Sequence, residues 1–287
     1  MASAKPGASR RIVSDDVVSK SPSAVHAKRK AELERGESAL SKASARSSVK
    51  AGGPEAKPNP RGASKALAPQ AALAVFEKLR THHADAHCEL DHQNPFQLLV
   101  ATVLSAQSTD VMVNKITPDL FRRFPTPESL AQAKYEDVEA ALNRIGMFRQ
   151  KAKNIIGLSK GLVEKHGGEV PRTLAELIEL PGVGRKTANV VLGVAFGAPE
   201  GVVVDTHVQR LSQRLGFTRE TEPPEIEQAL MQLFPRADWE PLPHVLIFHG
   251  RRICSAIKPA CAACPVQGDC PSAFHAENVG RKAPRVR

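Results

Sequence analysis

From about residue 70 onward, apolar residues recur at every third or fourth position of the chain. Five segments show this spacing: AALAVFEKLRTHH, PFQLLVATVLSAQ, YEDVEAALNRI, RQKAKNIIGLSKGLVEKHG and TLAELIEL. It places the apolar side chains on one face of an α-helix. The only run rich in β-branched residues, GVVVDTH, is too short for a sheet. With turn signals such as FPTPE and HGGEVPRT between the segments, the pattern predicts an all-α fold of about ten helices joined by short loops.

The first 68 residues have a different composition. They are rich in Ala, Ser, Lys, Arg, Gly and Pro, and no aromatic residue precedes Phe76. Such a segment cannot bury enough apolar surface to offset the entropy lost on ordering, so we expect a disordered basic tail over residues 1–68. This tail is either an arm that holds DNA phosphates or a passive solubilising segment.

The charge of the chain belongs mainly to that tail. Residues 1–70 hold 14 Lys and Arg against 6 Asp and Glu, which is +8 of the total net charge of +10. A pI near 9.6 is typical of nucleic-acid-binding proteins, but the body alone carries only +2. No apolar run reaches the roughly 18 residues of a membrane span, and the N-terminus lacks the apolar core of a secretory signal. We expect a cytoplasmic, nucleoid-associated protein that does not bind membranes.

Four cysteines lie close together in CSAIKPACAACPVQGDC, separated by six, two and five residues. Disulfides are disfavoured in a cytosolic protein, and they would leave Cys88 as an odd cysteine that is best explained by packing. Structural zinc usually binds two separated C-x-x-C pairs, and only one is present. Four thiolates on one compact loop suit a [4Fe–4S] cluster. The spacing favours the cluster, with zinc as the alternative, and the ligands in either case are Cys254, Cys261, Cys264 and Cys270.

The segment LPGVGRKTANVVL is typical of a helix, a tight turn and a second helix. Gly182 and Gly184 permit positive φ and a close approach of another backbone. Free amides at the start of the second helix can bind a phosphate, which positions DNA without reading its sequence. The macrodipole makes this helix end positive, so Lys186 is unfavourably placed there. Lys186 is therefore either a solvated surface lysine or an amine placed beside an anionic ligand.

Four motifs together resemble the endonuclease III family of helix-hairpin-helix DNA glycosylases with abasic-site lyase activity. They are LLVATVLSAQSTDVMVNK, LPGVGRKTANVVL, VVVDTHVQRL and the cysteine loop, in that order. The resemblance covers roughly residues 70–275 and implies a two-lobed all-α fold with DNA between the lobes and a [4Fe–4S] cluster on the four cysteines. It implies a six-helix bundle domain with the hairpin at 88–199 and a cluster domain of 69–87 plus 200–275. Residues 276–287 lie beyond it and are expected to form a basic C-terminal tail.

The same resemblance implies an activity on double-stranded DNA that contains damaged pyrimidines or abasic sites, in base excision repair. A flipped-out oxidised pyrimidine would be attacked at C1′ by Lys186, and the resulting Schiff base would lead to β-elimination. Asp205 would stabilise positive charge on the sugar and assist proton transfers. By sequence alone an Asp at this position is most often a helix N-cap, and the two roles are compatible. We expect the protein to act as a monomer.

Further DNA contacts are expected, for Gln107 and Met147 from the resemblance and for the others from their positions and charges. Gln107 would fill the gap left by the flipped nucleotide, and Met147, where the family usually has Leu, would wedge the opposite strand or else pack on a neighbour. His207 would line the lesion pocket or serve a structural role. The remaining expected DNA contacts are Gly182, Gly184, Arg185, Thr187, Arg251 and Lys258.

Two other functions compete with this interpretation. A mismatch glycosylase that removes adenine or thymine would share the fold, but such relatives generally lack the hairpin lysine, so Lys186 argues against the adenine-specific branch. A non-catalytic redox sensor that combines the cluster with a DNA-binding hairpin would make Lys186 dispensable.

Overall fold

The structure is a computed structural model, and it describes residues 66–279. The predicted basic tail over 1–68 therefore lies almost wholly outside the described residues, and only 276–279 of the predicted tail 276–287 lie inside them. In the described part of the chain the secondary structure is helical and contains no strand, which confirms the predicted all-α class. None of its helices is long and apolar enough to cross a membrane.

Between residues 66 and 279 there are eleven α-helices, close to the expected number, and three short 3₁₀ turns. The 3₁₀ turns are Arg236–Asp238, Cys261–Ala263 and Ala276–Asn278. The α-helices are α1 (Pro69–His82), α2 (Pro95–Ser105), α3 (Asp110–Arg123), α4 (Pro127–Ala131), α5 (Tyr135–Leu142), α6 (Phe148–His166), α7 (Leu174–Ile178), α8 (Arg185–Phe196), α9 (Thr206–Arg214), α10 (Pro223–Leu233) and α11 (Pro241–Arg252).

The first lobe is built around α2, which is apolar on nearly every side and packs against α3, α6 and α8. Asn94 begins this helix: its side-chain oxygen accepts a hydrogen bond from the amide of Gln97 at 2.9 Å. Leu98 and Leu99 are fully buried, and truncating either to Ala would cost about 2–5 kcal/mol. The hydrophobic core of this lobe runs from Leu90 to Leu192 along the chain.

The second lobe joins α1 to the C-terminal helices α9, α10 and α11. Its core includes the edge-to-face stack of Phe76 on Phe234 and of Phe234 on Phe217, with ring centres 5.5 and 5.1 Å apart. Leu67 precedes α1 and is already anchored, because its amide donates to the carbonyl of Gly216 at 2.8 Å. The chain thus leaves the second lobe after α1, builds the first lobe, and returns.

The return to the second lobe begins where α8 ends. Gly197 adopts φ +63°, and its amide and that of Ala198 bond to carbonyls of the last turn of the helix. The chain then runs without regular structure from Ala198 to Asp205, which starts α9. This crossing brings the start of α9 to the same cleft as the start of α8.

Candidate active site

A cleft of about 340 Å³ is lined by residues of both lobes. Lys186, on the first turn of α8, and Asp205, at the start of α9, both line it. Lys186 is exposed, whereas Asp205 is half-buried. The two residues that the motifs pair, 19 positions apart in the sequence, therefore border one space.

The hairpin that presents Lys186 depends on Gly182. Its φ is +79°, and a β-carbon there would lie 2.7–2.9 Å from the side chain of Asn154 on α6. Gly184 differs from the sequence-based expectation, because its φ is −97° and it needs no left-handed conformation. A β-carbon on Gly184 would meet no protein atom within 4 Å, so this face of the backbone is open to an approaching ligand.

Gly184 is the N-cap of α8 and supplies no side-chain hydrogen bond to the first turn. The amides of that turn are therefore available to an anion, and the helix macrodipole favours one there. Thr187 lies in the same turn and is half-buried. The start of α8 thus combines free backbone donors with the exposed amine of Lys186.

Asp205 caps α9 and still keeps one carboxylate oxygen unused. Its Oδ1 accepts hydrogen bonds from the amides of His207 and Val208, each at 2.8 Å. Its Oδ2 accepts no hydrogen bond from residues 66–279. The cap fixes the direction of the carboxylate, and the second oxygen remains available for chemistry in the cleft.

His207 lines the cleft beside Asp205 and is half-buried. Its Nδ1 lies 3.2 Å from Nη2 of Arg210. Burial lowers the pKa of His207, and the charge of Arg210 lowers it further, while Asp205 opposes both effects. These interactions favour a neutral imidazole that is held in place at the pocket wall.

Asp110 is a second carboxylate of the cleft that the sequence interpretation missed. It begins α3, three residues after Gln107. Its closeness to Gln107 in the segment SAQSTD is the sequence feature that could have identified it. Burial raises its pKa, the nearby Lys186 lowers it, and Asp205 raises it, so all three groups interact electrostatically. Arg251 donates to Asp110 Oδ2 at 3.1 Å and also pairs with Glu89. Arg251 was expected to contact DNA and here is held by two carboxylates.

Arg185, another expected DNA contact, points to the second lobe. Its Nε and Nη2 donate to the carboxylate of Glu227 on α10 at 2.8–3.1 Å. Glu227 is buried, also accepts from Asn189 at 3.3 Å, and lies where a β-carbon on Gly201 would sit. The sequence interpretation missed Glu227, because nothing in the amphipathic pattern of its helix marks a partner 42 residues away.

Gln107 and Met147 lie in two loops that touch each other. A β-carbon on Gly146, next to Met147, would lie 3.7 Å from the carbonyl oxygen of Gln107. Both residues have a left-handed backbone, with φ of 55° and 57°, which L-residues rarely adopt. Met147 is 55% exposed, so more than half of its surface is open to solvent.

The four cysteines of the C-terminal loop border one small cavity. Burial raises the pKa of Cys264, and it raises the pKa of Cys270 to about 12, so these thiols need a cationic group to ionise. As placed, no three His, Cys, Asp or Glu side chains within residues 66–279 converge to hold a metal ion. Four thiols at one cavity are nevertheless the donor set that iron–sulfur clusters use, so the residues fit such a group.

Buried cationic and imidazole groups surround these cysteines. Arg214 is fully buried. Its Nη1 lies 3.5 Å from Cys254 Sγ and donates to the carbonyl of Ser255, and its Nη2 donates to the carbonyl of Ala256. His249 is fully buried too, and its Nε2 lies 3.6 Å from Cys264 Sγ. Lys258, an expected DNA contact, is exposed in this loop and has φ +52°. The loop is therefore ordered around a site for anionic sulfur.

Comparison with known proteins gives a consistent result. Residues 100–236 match the HhH-GPD superfamily of base excision DNA repair proteins. The chain is 52% identical to endonuclease III of Synechocystis sp. over 204 residues, which is 71% of this chain and 93% of that protein. It is 41% identical to endonuclease III of Escherichia coli K12 over 198 residues, which is 69% of this chain and 93% of that protein.

Solved structures show the same relationship. One, described as a trapped endonuclease III–DNA covalent intermediate in an estranged-adenine complex, has 45% sequence identity and a TM-score of 0.68. That match covers 74% of this chain and 98% of the other. A thermostable thymine-DNA glycosylase has a TM-score of 0.65 at 22% identity, covering 72% of this chain and 97% of the other, which is a likeness of fold alone.

Proposed function

The chain belongs to the endonuclease III family of base excision DNA repair proteins, and on this premise we propose that it removes oxidised pyrimidines through a Schiff base on Lys186. As a member of this family it is a DNA glycosylase with abasic-site lyase activity, and DNA is its partner. The observation that carries the proposal is the exposed amine of Lys186 at the start of α8, in the same cleft as Asp205.

DNA binds with a phosphate at the start of α8, where the amides after Gly184 are free to donate. This contact fixes the position of the strand and carries no sequence information. The damaged nucleotide rotates out of the duplex into the cleft between the lobes. Gln107 enters the gap it leaves, and Met147 separates the bases of the opposite strand. Their exposure and mutual proximity support these two roles.

The neutral amine of Lys186 then attacks C1′ of the flipped deoxyribose. A bond forms between Nζ and C1′, the bond from C1′ to the base breaks, and the base leaves as an anion that takes a proton from solvent. Asp205 stabilises the positive charge that develops on the sugar, and its free Oδ2 takes up the proton from Nζ. The solved covalent complex of a 45% identical endonuclease III with DNA supports a covalent route.

Strand cleavage follows from the same covalent bond. The sugar ring opens as the C1′–O4′ bond breaks and O4′ takes up the proton held by Asp205. This gives a protonated imine between Lys186 and C1′, which acidifies the C2′ proton. Loss of that proton breaks the C3′–O bond, and the 3′ phosphate leaves. Water then hydrolyses the imine, which restores the amine of Lys186 and releases an unsaturated aldehyde on the 5′ fragment.

Four cysteines, Cys254, Cys261, Cys264 and Cys270, would hold a [4Fe–4S] cluster in this proposal. All four ligands would come from the protein, so binding of the cluster would stabilise the folded loop. Arg214 would balance part of the charge of the thiolates, and the imidazole of His249 would lie beside Cys264 Sγ. The catalytic steps use Lys186 and Asp205 alone.

The substrate range is tested with a panel of duplexes under single-turnover conditions. The panel contains thymine glycol, 5-hydroxycytosine, an abasic site, an A·G mismatch and a G·T mismatch. We expect rapid incision at the oxidised pyrimidines and the abasic site, with products that end in the unsaturated aldehyde. Preferential excision at either mismatch, without strand cleavage, would assign the protein to the mismatch glycosylases instead.

A further inference from the structure

Lys151 is a buried lysine that the reaction does not use. It lies in the first turn of α6 and is 3% exposed. Its Nζ donates to Ser108 Oγ at 2.8 Å, and no carboxylate of residues 66–279 forms an ion pair with it. Because burial penalises the ammonium and lowers its pKa, an apolar side chain would be at least as stable there. A contribution to stability therefore does not explain this lysine.

The position of Lys151 links the two loops that carry Gln107 and Met147. Its amide donates to the carbonyl of Met147 at 3.0 Å, and its side chain reaches Ser108, the neighbour of Gln107. Ser108 in turn donates its amide to the carbonyl of Ser105, the last residue of α2. One residue of α6 thus contacts both loops, one through its backbone and the other through its ammonium.

The carboxyl end of α2 lies near the ammonium of Lys151 and offsets the unfavourable macrodipole at the start of α6. Ser108 follows the carboxyl end of α2 by three residues, where the helix macrodipole attracts a cation. Both loop tips have a left-handed backbone, and such conformations persist only when their surroundings hold them. The link from Lys151 to Ser108 and Met147, called the tie below, supplies that support from inside the lobe. It leaves the side chains of Gln107 and Met147 free on the surface.

We propose that Lys151 is a positioning residue that holds the loops of Gln107 and Met147 at a fixed separation, so that both side chains enter the duplex together. The proposal rests on the strand-separating roles assigned above to Gln107 and Met147. Loops that move independently would have to be ordered as DNA binds, and the tie removes that cost beforehand. Its effect is therefore greatest when the damaged base must be pulled out of a stable pair.

The test uses the full-length protein and the substitution Lys151→Met, which keeps the length of the side chain and removes the buried charge. The control is Lys160→Met, which removes the same charge from an exposed position of the same helix. Excision is measured with enzyme in excess on two duplexes, one with thymine glycol opposite adenine and one with thymine glycol opposite a tetrahydrofuran spacer. The second duplex has no base pair to break.

We expect Lys151→Met to slow excision of the paired lesion by about 10-fold or more, and excision of the unpaired lesion by less than about twofold. Met147→Ala should show the same dependence on pairing. The variant that combines Lys151→Met with Met147→Ala should excise the paired lesion no more slowly than the slower of the two single variants. The thermal midpoint of Lys151→Met should equal or exceed that of the native protein. Lys160→Met should excise both lesions at the native rate.

One outcome would overturn the proposed role of Lys151 and leave the strand-separating role intact. In it, Lys151→Met slows excision equally on both duplexes or not at all, while the excision rate of Met147→Ala still depends on whether the lesion is paired. If the excision rates of both Met147→Ala and Gln107→Ala do not depend on pairing, the strand-separating role is wrong, and the proposed role of Lys151 is wrong with it. If Lys151→Met does not fold, Ser108→Ala against Ser108→Thr makes the same comparison, because only the second keeps the hydroxyl. A rate for Ser108→Ala equal to that of Ser108→Thr on the paired lesion would then overturn the tie.

Discussion

The guanidinium of Arg185 and the carboxylate of Glu227 form a two-point ion pair, with Nε–Oε2 at 2.8 Å and Nη2–Oε1 at 3.0 Å. Arg185 is the first residue of α8, immediately before Lys186, and Glu227 is buried on α10 in the other lobe. The pair therefore fixes the helix end that carries the amine relative to the lobe that carries Asp205. Glu227 also fills the space beside Gly201, on the segment that leads to Asp205.

Replacing Glu227 by Gln should loosen this connection. We expect the free energy of unfolding to fall by about 1–2 kcal/mol, because Gln lacks the negative charge and offers Arg185 one acceptor oxygen instead of two. Excision should slow as the amine loses its fixed position. Urea unfolding and single-turnover excision measure the two effects.

A matched control lies on the same hairpin. Glu179 pairs with Lys165 at 3.2 Å, with both side chains more than half exposed. Glu179→Gln should change the free energy of unfolding by less than about 1 kcal/mol and leave excision unchanged. Equal effects of the two substitutions on the rate would contradict the positioning role of Glu227.

Asp205→Asn separates the capping role of this residue from its chemistry. Asn keeps a side-chain oxygen for the amides of His207 and Val208, so stability should change by less than about 1 kcal/mol. The loss of the negative charge should slow base excision by about 10²–10⁴-fold. Thermal unfolding and single-turnover excision are the measurements, and a native excision rate would reduce Asp205 to a cap.

The sequence predicts well those residues of the site that belong to short motifs. Lys186 and Asp205 border one cleft, and the four cysteines border one cavity, as their motifs indicate. Lys151 could have been noticed, because the periodicity of α6 places it with the buried Ala152 and Ile155 on the inner face. Glu227 could not have been predicted from the sequence, because its pairing with Arg185 depends on how α8 and α10 meet across the two lobes.

Metal content tests the assignment of the cysteine loop. The purified protein should be yellow-brown and contain about four irons per chain, with no stoichiometric zinc. Elemental analysis and the visible absorption spectrum provide the measurement, and Cys88→Ser is the control because Cys88 lies outside the loop. One zinc per chain in place of iron would show that the cysteines form a structural zinc site.

Removal of residues 1–65 tests the basic tail. The truncation stops there because the amide of Leu67 bonds to Gly216 and its side chain packs on the second lobe. We expect unchanged single-turnover excision and weaker binding to undamaged duplex. The slope of log affinity against log salt should become shallower by roughly 0.9 for each phosphate that the tail neutralises in the full-length protein. Equal slopes for the two proteins would identify the tail as passive.

The nucleophilic role of Lys186 is tested most directly by borohydride trapping on abasic-site DNA, since borohydride reduces only an imine to a stable covalent bond. Lys186→Gln is compared with the native protein and with Lys160→Gln, an exposed lysine of α6 that serves as the control. We expect a covalent protein–DNA product for the native protein and for Lys160→Gln, and none for Lys186→Gln, which should still bind abasic-site DNA. Undiminished trapping by Lys186→Gln would contradict the nucleophilic role of this lysine.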